Sequence, residues 1–331
     1  MKKILVTGGC GFIGHHFIEH IIKTTDWDVV VMDRLSYASI GFDRLRDIDV
    51  YDDKRIHIFA YDFSCPIVSY LAKEIGSINY IFHFGGETHV ENSIKNAEPF
   101  IRSNILGTYN ILEYARTCDD LEKLFYFGTD EVFGSAPEGV YYKEWDRYKC
   151  GNPYSATKAA AEELCLAYHN THKLPIVITH CMNAFGERQH PEKFIPNTIR
   201  KVLNGEKVII YSNPNKTQAG SRFYIHCRNI SNAVTFLIGK AEFGEKYNIV
   251  GEKEIDNLSL AQMLAEFVRK PLFYEMVDFH SSRPGHDMRY ALDGTKMKKM
   301  GWEPPMTFER SLKKMVQWSL SHPKWLNLID K

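Results

Sequence analysis

Thr7-Gly8-Gly9-Cys10-Gly11-Phe12-Ile13-Gly14, following the apolar residues Ile4, Leu5 and Val6, decides how this chain folds. Residues 4–7 read as a short buried strand, and residues 15–23 beyond the glycines read as an amphipathic helix. A strand, a glycine turn and a helix in that order form a cradle for a dinucleotide. Backbone N–H groups and the helix N-terminus face the pyrophosphate, and Gly8, Gly11 and Gly14 let the chain approach it. The spacing is GxxGxxG rather than GxGxxG, so the turn alone is a weak signal and gains its weight from the next strand. That second strand, at 28–32, ends in Asp33, about twenty residues after the glycines, where a carboxylate binds adenosine ribose hydroxyls and repels a 2′-phosphate. NAD is thereby favoured over NADP, although Arg34 beside it could accept a phosphate.

Outward from this unit, strand and helix patterns alternate. Strands at 56–61, 80–84 and 124–127 end at Asp62, Gly85-Gly86 and Gly128, with helical stretches near 67–75 and 99–118 between them. The expectation is an α/β, Rossmann-like doubly wound parallel sheet covered on both faces, with ligands at the carboxyl ends of its strands. An NAD-binding domain over residues 1–180 is expected, followed by a smaller, partly interleaved α/β substrate domain over 181–331. A segment near 222–235, with 223–227 at its centre, is expected to return to the first sheet. The charged residues at 43–55 read as a solvated helix and loop.

Composition limits the function classes. The 331 residues are 44% hydrophobic and 25% charged, with 41 basic and 41 acidic side chains, so no net field favours nucleic acid or an anionic membrane. No apolar run reaches the length of a membrane span, and the first residues do not form a signal segment. Cys10, Cys65, Cys118, Cys150, Cys165, Cys181 and Cys227 stand singly, without zinc spacing, as suits reduced thiols in a cytoplasmic protein. The paired histidines, such as His15-His16, lack an HExxH or Cys/His cluster, and no metal site is expected.

Two further stretches carry the chemistry. Gly128-Thr129-Asp130-Glu131-Val132-Phe133-Gly134 sets two carboxylates beside a hydroxyl, and Tyr154-Ser155-Ala156-Thr157-Lys158 opens a helix behind Pro153. Tyr154 and Lys158, at i and i+4, share one face, where an ammonium can lower a phenol's pKa. Asp130 and Glu131 can face one substrate only if the strand has ended before them, because side chains alternate along a strand.

Thr-Gly-x-x-Gly-x-x-Gly with Tyr-x-x-x-Lys resembles the extended short-chain dehydrogenase/reductase family. Thr129-Asp130-Glu131 is similar to its nucleotide-sugar 4,6-dehydratase branch. Glu87-Thr88-His89-Val90-Glu91-Asn92-Ser93, Asn183-Ala184-Phe185-Gly186, Pro191-Glu192-Lys193-Phe194-Ile195-Pro196 and Arg283-Pro284-Gly285-His286-Asp287 match further signatures in order. The resemblance implies a lyase that uses NAD, with Thr129, Asp130, Glu131, Tyr154 and Lys158 catalytic. Tyr154 takes the O4 proton during oxidation at C4, Glu131 removes the C5 proton, and protonated Asp130 releases the C6 hydroxyl as water. Thr129 hydrogen-bonds O4 and Lys158 holds the nicotinamide ribose.

The same resemblance implies that Gly8, Gly11, Phe12, Ile13, Gly14, Asp33, Arg34, Asp62, Phe63, Phe84, Gly85, Gly86, Ser103, Tyr154, Lys158 and Ala184 bind the cofactor. It implies that Thr88, Thr129, Asn183, Lys193, Phe194, Tyr211, Arg222, Asn257, Arg283 and His286 bind the nucleotide sugar, with arginine forks on its phosphates. The branch usually has Ala-Ala where this chain has Gly85-Gly86, serine at Gly128, proline at Glu187, and aspartate at Phe223 and Ser282. Thr88-His89-Val90-Glu91-Asn92-Ser93 and Arg222-Phe223-Tyr224-Ile225-His226-Cys227 stand nearer the UDP-glucose enzymes of rhamnose synthesis than the bacterial dTDP-glucose enzymes. UDP-glucose is therefore the expected substrate, with dTDP-glucose the alternative and a nucleotide-sugar 4-epimerase a further one. A homodimer formed through the helices near 99–118 and 154–172 is also implied.

Overall fold

The computed structural model of the chain describes residues 1–279 and 288–328. Its strands, in chain order, are β1 (Lys3–Thr7), β2 (Asp28–Asp33), β3 (Ile56–Ala60), β4 (Tyr80–His83), β5 (Lys123–Thr129), β6 (Ile176–Cys181), β7 (Asn183–Phe185), β8 (Val208–Ser212), β9 (Ser221–His226), β10 (Lys246–Ile249), β11 (Glu254–Asp256) and β12 (Tyr274–Asp278). Seven of them form one sheet in the order β10-β6-β5-β4-β1-β2-β3, every neighbouring pair parallel. This is the doubly wound sheet that the strand and helix alternation predicts. Ile4 and Val6 join the apolar layer on one face, with Phe17, Ile18 and Val29, while Leu5 joins the other, with Val30, Ile81 and Ile111. Both faces are dry, which is why these strands read as unbroken apolar runs.

The strand order reverses between β1 and β4, and a crevice opens there at their carboxyl ends. Gly8 has φ +68°, and a Cβ on it would come within 2.7 Å of the Gly85 Cα. A side chain at this point would push the two strand ends apart. Gly85 is glycine for a second reason: a Cβ there would lie 2.5 Å from the Phe63 ring.

The expected return of residues 223–227 to the large sheet takes a different form. β9 pairs with β7 and β11 in a separate three-stranded sheet. The strand added to the large sheet is β10, reached through helix Cys227–Ile238, whose Ile230, Ala233 and Val234 share an apolar layer with Phe17, Ile18 and Ile21 of helix Phe12–Thr24. The short polar runs around 240–246 hid this strand, because β10 has only four residues.

The continuous helix expected near 99–118 is interrupted. A π-helical turn, Ile101–Leu106, separates the short helix Glu98–Phe100 from helix Gly107–Ala115. Its wider winding turns Ser103 and Asn104 inward side by side, both 2% exposed. The charged stretch at 43–55 is also less solvated than its composition implies. Arg44 is fully buried and donates to the carbonyls of Cys10, Ala38, Ser39 and Arg188. Among the described residues no helix is long and apolar enough to cross a membrane.

In the carboxyl half, helices Phe194–Asn204, Asn257–Val268 and Phe308–Ser321 enclose a third apolar cluster containing Ile195, Ile199, Leu260, Leu264, Leu312 and Met315. That cluster supports the parallel pair β8 and β12. Together they form the wall opposite the large sheet's carboxyl edge.

Candidate active site

Along the crevice between β1 and β4 runs a cavity lined by Gly8, Gly11, Phe12, Ile13, Gly14, Asp33, Arg34, Phe63, Phe84, Gly85, Gly86 and Ser103. The fit to a dinucleotide rests on three observations. Helix Phe12–Thr24 begins at Gly11 with no side-chain cap and no acid in its first turn, so its N-terminal N–H groups and positive dipole end remain available to an anion. A Cβ on Gly14 would lie 2.2 Å from the Gly8 carbonyl oxygen, so only glycine lets the turn wind this closely. Asp33 stands at the end of β2, oriented by the Cys10 N–H at 3.0 Å, the Leu35 N–H at 2.8 Å and the Ser39 hydroxyl at 2.9 Å. Arg34, which could have received a 2′-phosphate, is instead paired with Glu87 and lies 3.8 Å from Asp62. Asp62 acts on this cavity through Arg34 and is not part of its lining.

A second cavity adjoins the first and brings Thr129, Asp130, Glu131, Tyr154 and Lys158 together with Ala184 and Asn183. Thr129 is the last residue of β5. Asp130–Phe133 then forms a 3-10 turn, which Gly134 closes at φ +74°. The strand has therefore ended where the two acids begin, and the alternation that would have separated them no longer applies. Helix Pro153–His172 starts at Asn152 with a reciprocal capping box to Ser155, and Tyr154 and Lys158 project from its first turns.

The electrostatics of this cavity follow from its dryness. Asp130 is 5% exposed, and burial, helped by the adjacent Glu131 charge, pushes its carboxyl up to about 7. Arg222 and the Thr129 hydroxyl pull it back only in part. Its Oδ1 accepts from Thr129 at 3.2 Å, and its buried Oδ2 has no hydrogen-bond partner among the described residues. Burial, Glu131 and Asp130 raise the Tyr154 phenol, with a hydrogen bond to Thr129 opposing them. The sequence-based expectation that Lys158 lowers this phenol is corrected by the geometry. The Lys158 ammonium donates to the Phe127 carbonyl at 2.8 Å and lies over the Tyr126 ring at 4.4 Å, and what raises Tyr154 is burial and, next to it, the Glu131 charge. Burial also lowers Lys158 itself to about 8.

A third cavity extends from Thr88, Glu131 and Asn183 past Lys193, Phe194 and Tyr211 to Arg222 and Asn257. Thr88 and Lys193 line all three cavities, so the cofactor crevice, the reacting groups and the nucleotide pocket are continuous. Arg222 lies over the Tyr290 ring at 4.4 Å, and Asn257 accepts from the Tyr224 hydroxyl at 2.8 Å. Arg283 and His286 lie outside the described residues.

Sequence reasoning missed several residues that the fold brings in. Asn152 and Tyr290 both donate to Glu131 Oε2, at 3.4 and 3.3 Å. Asn104 bridges the Glu87 backbone and Thr157, and so ties the π turn to the catalytic helix. Asn152 was legible, because Asn before Pro is a helix-start signal. Tyr290 and Asn104 had no local signal.

A parallel doubly wound sheet, a dinucleotide crevice and a Tyr/Lys helix beside a nucleotide pocket are the features of the nucleotide-sugar-modifying short-chain dehydrogenases/reductases. Within that class, the family model described as GDP-mannose 4,6 dehydratase matches residues 5–315, and the chain belongs to this family. It is 36% identical over 317 residues to the low-salt glycan biosynthesis protein Agl12 of Haloferax volcanii, covering 96% of this chain and 98% of that one. It is 35% identical over 350 residues to dTDP-glucose 4,6-dehydratase 1 of Escherichia coli strain K12, covering 98% and 94%. The crystal structure of DesIV, a dTDP-glucose 4,6-dehydratase from Streptomyces venezuelae with NAD bound, superposes with a TM-score of 0.88 at 31% identity, covering 98% of both chains.

Proposed function

We propose that the protein is an NAD-dependent hydro-lyase that converts a nucleotide-linked glucose to its 4-keto-6-deoxy form. The observation that carries this reading is a buried carboxyl at about 7 beside a second carboxyl, both within one cavity with Tyr154. An epimerase on the same scaffold has no use for that pair. Gly8, Gly11, Gly14 and Asp33 would hold NAD in the crevice, where it would supply a hydride acceptor for oxidation at sugar C4 and a hydride donor for C6. Tyr154, oriented by Thr129, takes the proton from O4. The ketone so formed acidifies the C5 hydrogen, and Glu131 removes it and then returns a proton to C5 when C6 is reduced. Asp130, neutral because its site is dry, gives its proton to the C6 hydroxyl, which leaves as water. Lys158, held by the Phe127 carbonyl, fixes the nicotinamide ribose, and Arg222 and Lys193 hold the diphosphate.

UDP-glucose is the proposed substrate, supported by the residues at 88–93 and 222–227, and the product would feed deoxysugar synthesis such as that of rhamnose. The second reading, dTDP-glucose, is favoured by the name of the Escherichia coli relative at 35% identity. Two interleaved domains divided near residue 180, and a homodimer through helices Gly107–Ala115 and Pro153–His172, complete the proposal. Ile101, Leu106 and Tyr109, at 51%, 39% and 41% exposed, are apolar residues that such a helix pairing would cover. The test is incubation with the sugar nucleotide without added reductant, followed by mass measurement. Loss of one water, about 18 Da, supports the dehydratase, and an unchanged mass with an altered sugar configuration would mark an epimerase.

A further inference from the structure

Asp130 and Glu131 are neighbours in sequence and share one cavity, yet the proposed reaction needs one to give a proton and the other to take one. Two adjacent carboxyls in a dry site do not both ionise, so something must decide where the proton rests. Hydrogen-bond donors are distributed unequally between them. Glu131 Oε2 accepts from Asn152 Nδ2 at 3.4 Å and from the Tyr290 hydroxyl at 3.3 Å. Asp130 Oδ1 accepts from the Thr129 hydroxyl at 3.2 Å, and its buried Oδ2 has no partner among the described residues. A carboxylate is stabilised by donors, whereas a neutral carboxyl needs only an acceptor for its proton, and a substrate hydroxyl provides one.

We propose that Tyr290 and Asn152 are positioning residues that assign the roles of the two acids, holding Glu131 as the carboxylate base and leaving the proton on Asp130. The inference rests on the dehydratase reading of the site. Tyr290 also links the base to the nucleotide end, because the Arg222 guanidinium lies 4.4 Å over its ring and a cation there strengthens the phenol as a donor. Among the described residues, the cavity that holds both acids also holds Tyr154, Lys158, Cys181 and Lys193, and the cavity beyond Glu131 adds His89, Glu91, Glu192, Lys201 and Arg222. Burial raises Tyr154 and Cys181, and Arg222 draws Asp130 toward its charged form, so the donors that favour Glu131 as the carboxylate are those of Asn152 and Tyr290.

The experiment uses the full-length protein and its Y290F form, with N152S as a second variant. Serine keeps an oxygen to cap the catalytic helix but loses the amide donor. Water loss from the sugar nucleotide is followed across pH. Removing a donor from a carboxylate raises its pKa, so the acid limb of the elimination rate should move up by about one unit, and the rate at a fixed pH on that limb should fall about tenfold. Oxidation at C4, read as reduced-cofactor absorbance on adding substrate, should persist, because it does not use Glu131. An acid limb that stays in place in both variants overturns the assignment, whether or not the rate falls. A wild-type chain that releases no water overturns the dehydratase reading and takes the assignment with it, so the two failures are distinguishable.

Discussion

The catalytic cavity and the nucleotide pocket adjoin, but they are built from different material. In the catalytic cavity Thr129, Asp130, Tyr154 and Lys158 are each no more than 7% exposed and stand on the end of β5 or the first turns of one helix. In the nucleotide pocket Lys193, Phe194, Tyr211 and Asn257 are partly exposed and come from separate helices and strands of the carboxyl half. Where water is excluded, each charge alters its neighbour's protonation state, and so moves Asp130 to about 7. Where water enters, charges are screened, and long side chains set affinity rather than chemistry. Substitutions in the first region should therefore act on the reaction step, and those in the second on binding.

The largest expected effect is that of Y154F. Without the phenol no group can take the O4 proton, so both C4 oxidation and water loss should fall by about 10³-fold, measured as reduced cofactor and as product mass. Next is E131Q, in which elimination should fall by about 10²-fold while C4 oxidation persists and reduced cofactor accumulates. An E131Q protein that eliminates at the wild-type rate would break the division of roles.

The pH dependence tests the dryness of the site directly. Asp130 donates only when neutral, and its raised pKa keeps it neutral below about 7. Elimination should therefore fall as pH rises through that value, about tenfold per unit beyond it. A flat rate from pH 6 to 9 would mean that Asp130 is not the acid. Arg222 is buried where the two regions meet, and R222K keeps the charge that acts on Asp130 but loses the planar fork, so KM should rise about tenfold with little change in kcat. A fall confined to kcat would move Arg222 into the chemistry.

The smallest effect expected is the choice of base. Thymine and uracil differ by one methyl, a difference worth about 1–3 kcal/mol. The measurement is kcat/KM for UDP-glucose and dTDP-glucose on one preparation. A ratio above about tenfold in favour of dTDP-glucose, which is about 1.4 kcal/mol, would replace the UDP proposal and leave the dehydration intact.

Local pattern by itself determined the glycine turn, the acid at Asp33, the parallel sheet and the Thr129-Asp130-Glu131 and Tyr154/Lys158 stretches. Each of these is a short-range feature: a backbone approach that only glycine allows, an apolar run buried on both faces, or two side chains one helical turn apart. Tertiary structure alone decided which groups meet across the fold. Tyr290 reaches Glu131 from 159 residues away, and Arg34 is taken up by Glu87. Lys158 turns to the Phe127 carbonyl rather than acting on Tyr154, and the charged segment around Arg44 folds inward to stitch the loops beside Asp33. The physical reason is that a side chain's charge state and partner depend on which distant atoms exclude water from it. Spacing along the chain carries no information about them.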